Sequence, residues 1–66
     1  MTLTIPKASD LGADARLYDV NDVPVAVVDV EAYRYDTTPP EKFALTSVMS
    51  DGVEISRAEF MRLLPS

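Results

Sequence analysis

Between Val23 and Tyr35 the apolar residues change phase twice, and any fold for this chain has to accommodate that. Val23, Val25 and Val27 hold odd positions, Val28, Val30 and Ala32 hold even ones with Asp29 and Glu31 between them, and Tyr33 and Tyr35 are odd again. Alternation with period two marks a strand buried on one face, and a straight strand cannot change faces midway. Thirteen residues at ~3.3 Å each would also run to about 43 Å, against a diameter of roughly 28 Å for a compact chain of this length. The pattern predicts a single strand over 23–35, bent by a β-bulge or sharp coil at 27/28 and 32/33, that serves two parts of a curled sheet.

The remaining segments supply partners for that strand. Met1, Leu3 and Ile5 alternate with Thr2 and Thr4, which predicts a strand over 2–5 that Pro6 interrupts. "KASDLGADA" is rich in small and turn-forming residues and reads as a loop, with Ser9 placed to cap a single helical turn. A strand over 15–20 leads into Asn21-Asp22, two residues that tolerate the left-handed backbone of a tight hairpin turn. That turn pairs Val20 with Val23, Tyr18 with Val25 and Leu17 with Ala26. "DTTPPE", residues 36–41, is a loop, since its two prolines cannot donate to a ladder.

Asp51-Gly52 reads as a second hairpin signal. A three-residue loop, Ser50 to Gly52, with Gly52 left-handed, joins strands 42–49 and 53–55 and gathers Phe43, Leu45, Met49, Val53 and Ile55 on one face. Ser56 and Glu59 have capping-box spacing and predict a helix over 57–64, with Phe60, Met61, Leu63 and Leu64 as its apolar stripe. Such a helix is below the ~12 to 15 residues that autonomous helicity requires, so packing must hold it. The expected fold is a single α+β domain over 1–66: a small, mainly antiparallel sheet of five strands (2–5, 15–20, 23–35 bent, 42–49, 53–55) closed by one short C-terminal helix. Strand, Asp-Gly turn, strand and short helix in "VMSDGVEISRAEFMRLLPS" resemble the layout of SH3-like small barrels, which implies a partial barrel. The chain has no Trp for the aromatic cluster with which peptide-binding SH3 domains grip prolines, and the resemblance carries over no site.

At 66 residues without Cys or His, the chain has no disulfide, thiolate zinc site or imidazole ligand to supplement its core. The absence of His also rules out a hydrolytic triad built on it. Hydrophobic residues at 47% are too many for intrinsic disorder. The longest apolar run, Val23 to Val28, is far short of the ~20 residues of a membrane span, and "MTLTIPKASD" lacks the basic and apolar regions of a signal peptide; a cytoplasmic protein is expected. Eleven acidic against six basic residues give a formal net charge of −5, which repels nucleic acid and disfavours its direct binding.

Three local constellations have a chemical reading and a plainer one. Asp29 and Glu31, two apart on a strand and so about 7 Å from each other, match the separation of acid/base pairs but read first as a solvated strand face. "DVND" begins like a calcium loop, yet Val23 and Pro24 stand where that loop needs a ligand oxygen and a Gly. "YRYD" offers Tyr33 and Tyr35 for stacking on single-stranded nucleic acid, but one Arg is not a basic groove. No enzyme activity, cofactor or metal site is expected.

The acidic residues Asp19, Asp22, Asp29, Glu31 and Asp36 are the candidate binding face, with Tyr18, Tyr33 and Tyr35 as aromatic contacts. Their plain role is solubility and protection of strand edges. The functional expectation is a small protein-interaction module whose acidic strip docks on the basic surface of a larger protein and inhibits it by occupying a nucleic-acid site. Phage-encoded inhibitors of host nucleases and anti-CRISPR proteins are similar in size and charge. The alternatives are a structural or assembly component that binds through apolar surface or strand edges, a second copy of the chain included, and an antitoxin-like regulator.

Overall fold

Val25 and Ala26 are adjacent in sequence, point to opposite faces of one strand, and are both fully buried. The computed structural model describes residues 5–65 and shows how this arises. A five-stranded antiparallel sheet is built from β1 (Arg16–Val20), β2 (Val23–Val28), β3 (Glu31–Arg34), β4 (Glu41–Phe43) and β5 (Gly52–Glu54), in the order β4-β3-β2-β1-β5. Two short helices, α1 (Leu45–Asp51) and α2 (Arg57–Leu63), cover opposite faces of it. The sheet is open, with β4 and β5 as its edges. The expected class, α+β with an antiparallel five-stranded sheet and a C-terminal helix, is the observed one; the strand expected over 2–5 lies outside the described residues apart from Ile5.

The stretch 23–35 is two strands, where a single bent one was expected. β2 turns at Asp29-Val30 into β3, with Val28 opposite Glu31 and Val25 opposite Arg34. Asp29 takes the left-handed backbone, φ 57°, as Asp does more readily than most residues. The phase changes have a simpler cause than a bulge. "VPVAVV" is apolar throughout because both faces of β2 are buried, the pattern usual for a strand sandwiched between helices. Compactness still demanded that the segment fold back: the longest extent of the molecule is 32 Å and its radius of gyration 10.7 Å.

On one face, Leu17, Ala26 and Tyr35 form a cluster with Leu11 and with Phe60 of α2. On the other, Val20, Val25, Val27 and Ala32 pack against Val48 of α1. Phe60 and Val48 are the keystones, exposed by 0% and 1%; burying a side chain of that size contributes on the order of 2 to 3 kcal/mol. Pro24 sits in the central strand, where proline is normally excluded. Its missing N–H faces Tyr35, beyond the last residue of β3, and its carbonyl still accepts from Tyr35 N–H at 2.8 Å, so a single ladder bond is lost.

The β1–β2 hairpin has the expected register, Val20 to Val23, Tyr18 to Val25 and Leu17 to Ala26. Asn21 and Asp22 are both left-handed, φ 52° and 71°, and Asp22 N–H donates to Asp19 Oδ1 at 2.7 Å. At α2 the Ser56 hydroxyl accepts from Glu59 N–H at 3.2 Å, the forward half of the capping box; the Glu59 carboxylate pairs instead with Arg62 at 2.8 Å. Near the N-terminus, Ala8–Asp10 form a single 3-10 turn with Lys7 at the capping position, so Ser9 lies inside the turn.

Residues 42–49 depart furthest from expectation. The strand stops at Phe43, and Leu45–Asp51 is a helix. Leu45, Val48 and Met49 have helical spacing, i, i+3 and i+4, and Val48 at that spacing fills the face of the sheet that α2 leaves open. Asp51-Gly52 makes no hairpin turn. Gly52 is extended, φ −78°, ends α1 by donating to Val48 O, and at once begins β5. Glycine is required by closeness and not by dihedral angle: a Cβ there would collide with the Val48 carbonyl oxygen, a backbone atom.

Gly52→Ala should therefore destabilise the fold by roughly 1 to 3 kcal/mol, the usual cost of overpacking. Gly12, with open space around its Cβ position and no positive φ, should gain about 0.4 to 1 kcal/mol when changed to Ala, through the unfolded chain. Urea unfolding midpoints of the two variants should thus shift in opposite directions.

Candidate interaction surface

The antiparallel ladders sort the charged residues into two halves of the sheet. Val20, opposite Val23 and Gly52, marks the end at the Asn21-Asp22 turn; Tyr18 is opposite Val25 and Glu54; and Arg34 is opposite Val25 and Glu41. This half, with its turns, carries Asp19, Asp22, Asp36, Glu41, Asp51 and Glu54 against the single basic residue Arg34. The half nearer Asp29-Val30 carries Asp14, Asp29 and Glu31 against Arg16 and Lys42. The net negative charge of the chain is thus concentrated at the β1–β2 end.

The residues expected to form one strip do not all lie together. Asp19 is half-buried on β1 and Asp22 exposed in the turn, both at the acidic end. Asp29 is exposed in the β2–β3 turn, at the opposite end of β2, so it is not a strand neighbour of Glu31. Glu31 opens β3 and pairs with Lys42 Nζ at 3.1 Å. Asp36 is at the acidic end but engaged: Arg34 Nε and Nη2 each donate to its carboxylate at 2.7 Å. That fork of charge-assisted bonds holds the Asp36 carboxyl below its ordinary range and raises the Arg34 guanidinium, while Arg34 also lies over the Phe43 ring at 5.8 Å.

Glu41, Asp51 and Glu54 join the acidic half although the sequence reading passed over them. No local signal marks them. Asp51 and Glu54 come to the same end of the sheet as Asp19 and Asp22 only because β5 adds beside β1 across more than thirty residues of chain. Two large apolar side chains are exposed in the same region, Met49 of α1 by 63% and Val53 of β5 by 64%. Val53 is the cross-strand partner of Asp19.

Of the three tyrosines, Tyr18 and Tyr33 are half-buried against the two core clusters. Tyr35 is core, 4% exposed, and is thereby removed from the aromatic contacts. Its ring meets Phe60 edge to face at 5.6 Å, and its hydroxyl donates to Pro6 O at 2.7 Å, tying the N-terminal segment to the sheet.

An open groove of about 560 Å³ lies between the loop before β1 and the end of β5, lined by Asp14, Arg16, Glu54 and Arg57 among others. Arg57 spans it to the Leu11 and Gly12 carbonyls, both at 3.1 Å, so that guanidinium closes the fold. Among the described residues no three His, Cys, Asp or Glu are grouped to hold a metal ion, and no helix is long and apolar enough to cross a membrane. Comparison with family models, with curated proteins and with solved structures finds no match.

Burial, with a smaller contribution from Tyr33, pushes the Tyr35 phenol up to about 12 from its ordinary value of 10.0. Because the unfolded chain ionises first, the stability that Tyr35 contributes is complete below pH ~10 and is lost as pH rises toward about 12. Tyr35→Phe should lower stability at neutral pH by about 1 kcal/mol, for the lost bond to Pro6 O. It should also flatten the alkaline decline in thermal midpoint that the parent protein shows between those pH values.

Proposed function

We propose that the protein is a non-enzymatic interaction module that docks the acidic end of its sheet on a basic surface of a larger protein and inhibits it by excluding nucleic acid from that surface. The observation that carries this reading is the segregation of charge: six carboxylates against Arg34 in one half of the sheet, near balance in the other. A surface with that field attracts Lys- and Arg-rich partners and accelerates their encounter. Met49 and Val53, exposed beside the carboxylates, supply the apolar contact that charge alone lacks. A basic partner surface that serves nucleic acid is the kind such a field attracts, which supports inhibition by mimicry of a phosphate backbone, the mode of phage-encoded inhibitors of similar size and charge.

The second reading, an assembly component, is favoured by the same exposed Met49 and Val53. It differs in its response to salt, because screening weakens charge-led docking far more than burial of apolar surface.

Affinity capture from the source cell at about 50 and 500 mM salt separates the two readings. A charge-led partner should be retained at low salt and released at high salt. Reversing the exposed Asp51 and Glu54 together to Lys should abolish capture with the fold intact, since neither holds the β1–β2 turn, whereas reversing Asp29 and Glu31 should reduce it only slightly. Equal retention at both salt concentrations, or survival of binding in the Asp51 and Glu54 double variant, would refute docking through this end.

A further inference from the structure

The two edges of the sheet are not alike. β4 follows directly on Pro39 and Pro40 and exposes Lys42, and prolines and lysines are the usual devices that keep an edge from pairing. β5 has neither. Its middle residue, Val53, is exposed by 64%, and its neighbours Asp51 and Glu54 are exposed carboxylates.

The backbone of β5 has groups to offer on that side. Ile55 N–H donates to Leu17 O at 2.9 Å, so Leu17 faces β5, and by alternation Asp19 and Val53 face each other. Gly52 and Glu54 therefore turn their amide groups away from β1. Gly52 N–H is taken by Val48 O at the end of α1. Among the described residues, the Glu54 N–H, the Glu54 carbonyl and the Gly52 carbonyl are left along the outer edge.

We propose that this edge accepts an extended segment of the partner as a sixth strand, and that the segment alternates basic with aliphatic residues. The proposal rests on the interaction reading above and specifies its mode. A residue added opposite Glu54 projects to the face of Glu54, where Lys or Arg meets a carboxylate; the residue opposite Val53 projects to the other face, where an aliphatic side chain covers Val53. Complementarity of charge selects this occupant over a second copy of the chain. Two β5 strands paired edge to edge would bring two copies of the Glu54 carboxylate, each beside an Asp51 at the end of α1, to one seam, and like charges across a strand pair are repelled.

The probe is an acetylated, amidated Lys-Val-Lys-Val-Lys peptide, and its control is the same peptide methylated on the backbone nitrogens of all five residues, equal in charge but unable to donate to β5 from either edge. Amide exchange is followed by NMR on the full chain at low salt. The unmethylated peptide should slow exchange at Glu54 by roughly tenfold near saturation and the methylated one should leave it unchanged; Glu54→Lys should abolish the effect. If both peptides shift the Asp19, Asp22 and Asp51 resonances alike and Glu54 exchange does not respond, strand addition is overturned while charge-led docking stands. If neither peptide perturbs any resonance, both readings fall together.

Discussion

Burial of β2 on both sides is the constraint on which everything else in this molecule depends. Val25 faces α1 and Ala26 faces α2, and neither retains any exposure. With 66 residues and no cysteine, the chain has no staple and little surface to remove from water. A sheet covered on one face would leave half its valines wet. Two seven-residue helices, neither stable alone, solve the problem by inserting one fully buried side chain each, Val48 from one side and Phe60 from the other.

That arrangement also dictates where charge can go. With both faces of the central strands closed, carboxylates are driven to turns, edges and the ends of strands. Some are neutralised there by near neighbours, Asp36 by Arg34 and Glu31 by Lys42. Asp19, Asp22, Asp51 and Glu54 gather where the β1–β2 turn, the end of α1 and β5 converge. The polarity of the surface is thus a consequence of topology: the strand order β4-β3-β2-β1-β5 brings residues 52–54 beside residues 18–20, and Asp51 and Glu54 join the acidic half only through that pairing.

Features held by short-range chemistry were legible in the sequence. The β1–β2 register follows from two residues tolerant of left-handed backbone between alternating strands, and the α2 start from a serine three residues before Glu59. The acidic candidates Asp19 and Asp22 belong to that hairpin and were placed correctly for the same reason. Features that depend on what packs above were misread. A run such as "VPVAVV" looks like a phase slip if one face is assumed wet. Asp51-Gly52 looks like a hairpin turn if the preceding valine and methionine are assigned to a strand. Leu45, Val48 and Met49 carried a helical signal, but seven residues of it cannot outweigh a turn motif until the open face of the sheet is known.

By itself the sequence determined the class of the fold, the β1–β2 hairpin, the terminal helix, the sign of the charge and the exclusion of histidine or cysteine chemistry, since each rests on composition or on contacts within a few residues. Only the tertiary structure decided that 23–35 is a hairpin, that 45–51 is helical, that Tyr35 is core, and that Asp51 and Glu54 come to the end of the sheet that holds Asp19 and Asp22. The physical reason is common to all four. Burial and proximity between distant segments are properties of the packed chain, and they outweigh local preferences that amount to only about 1 kcal/mol per residue.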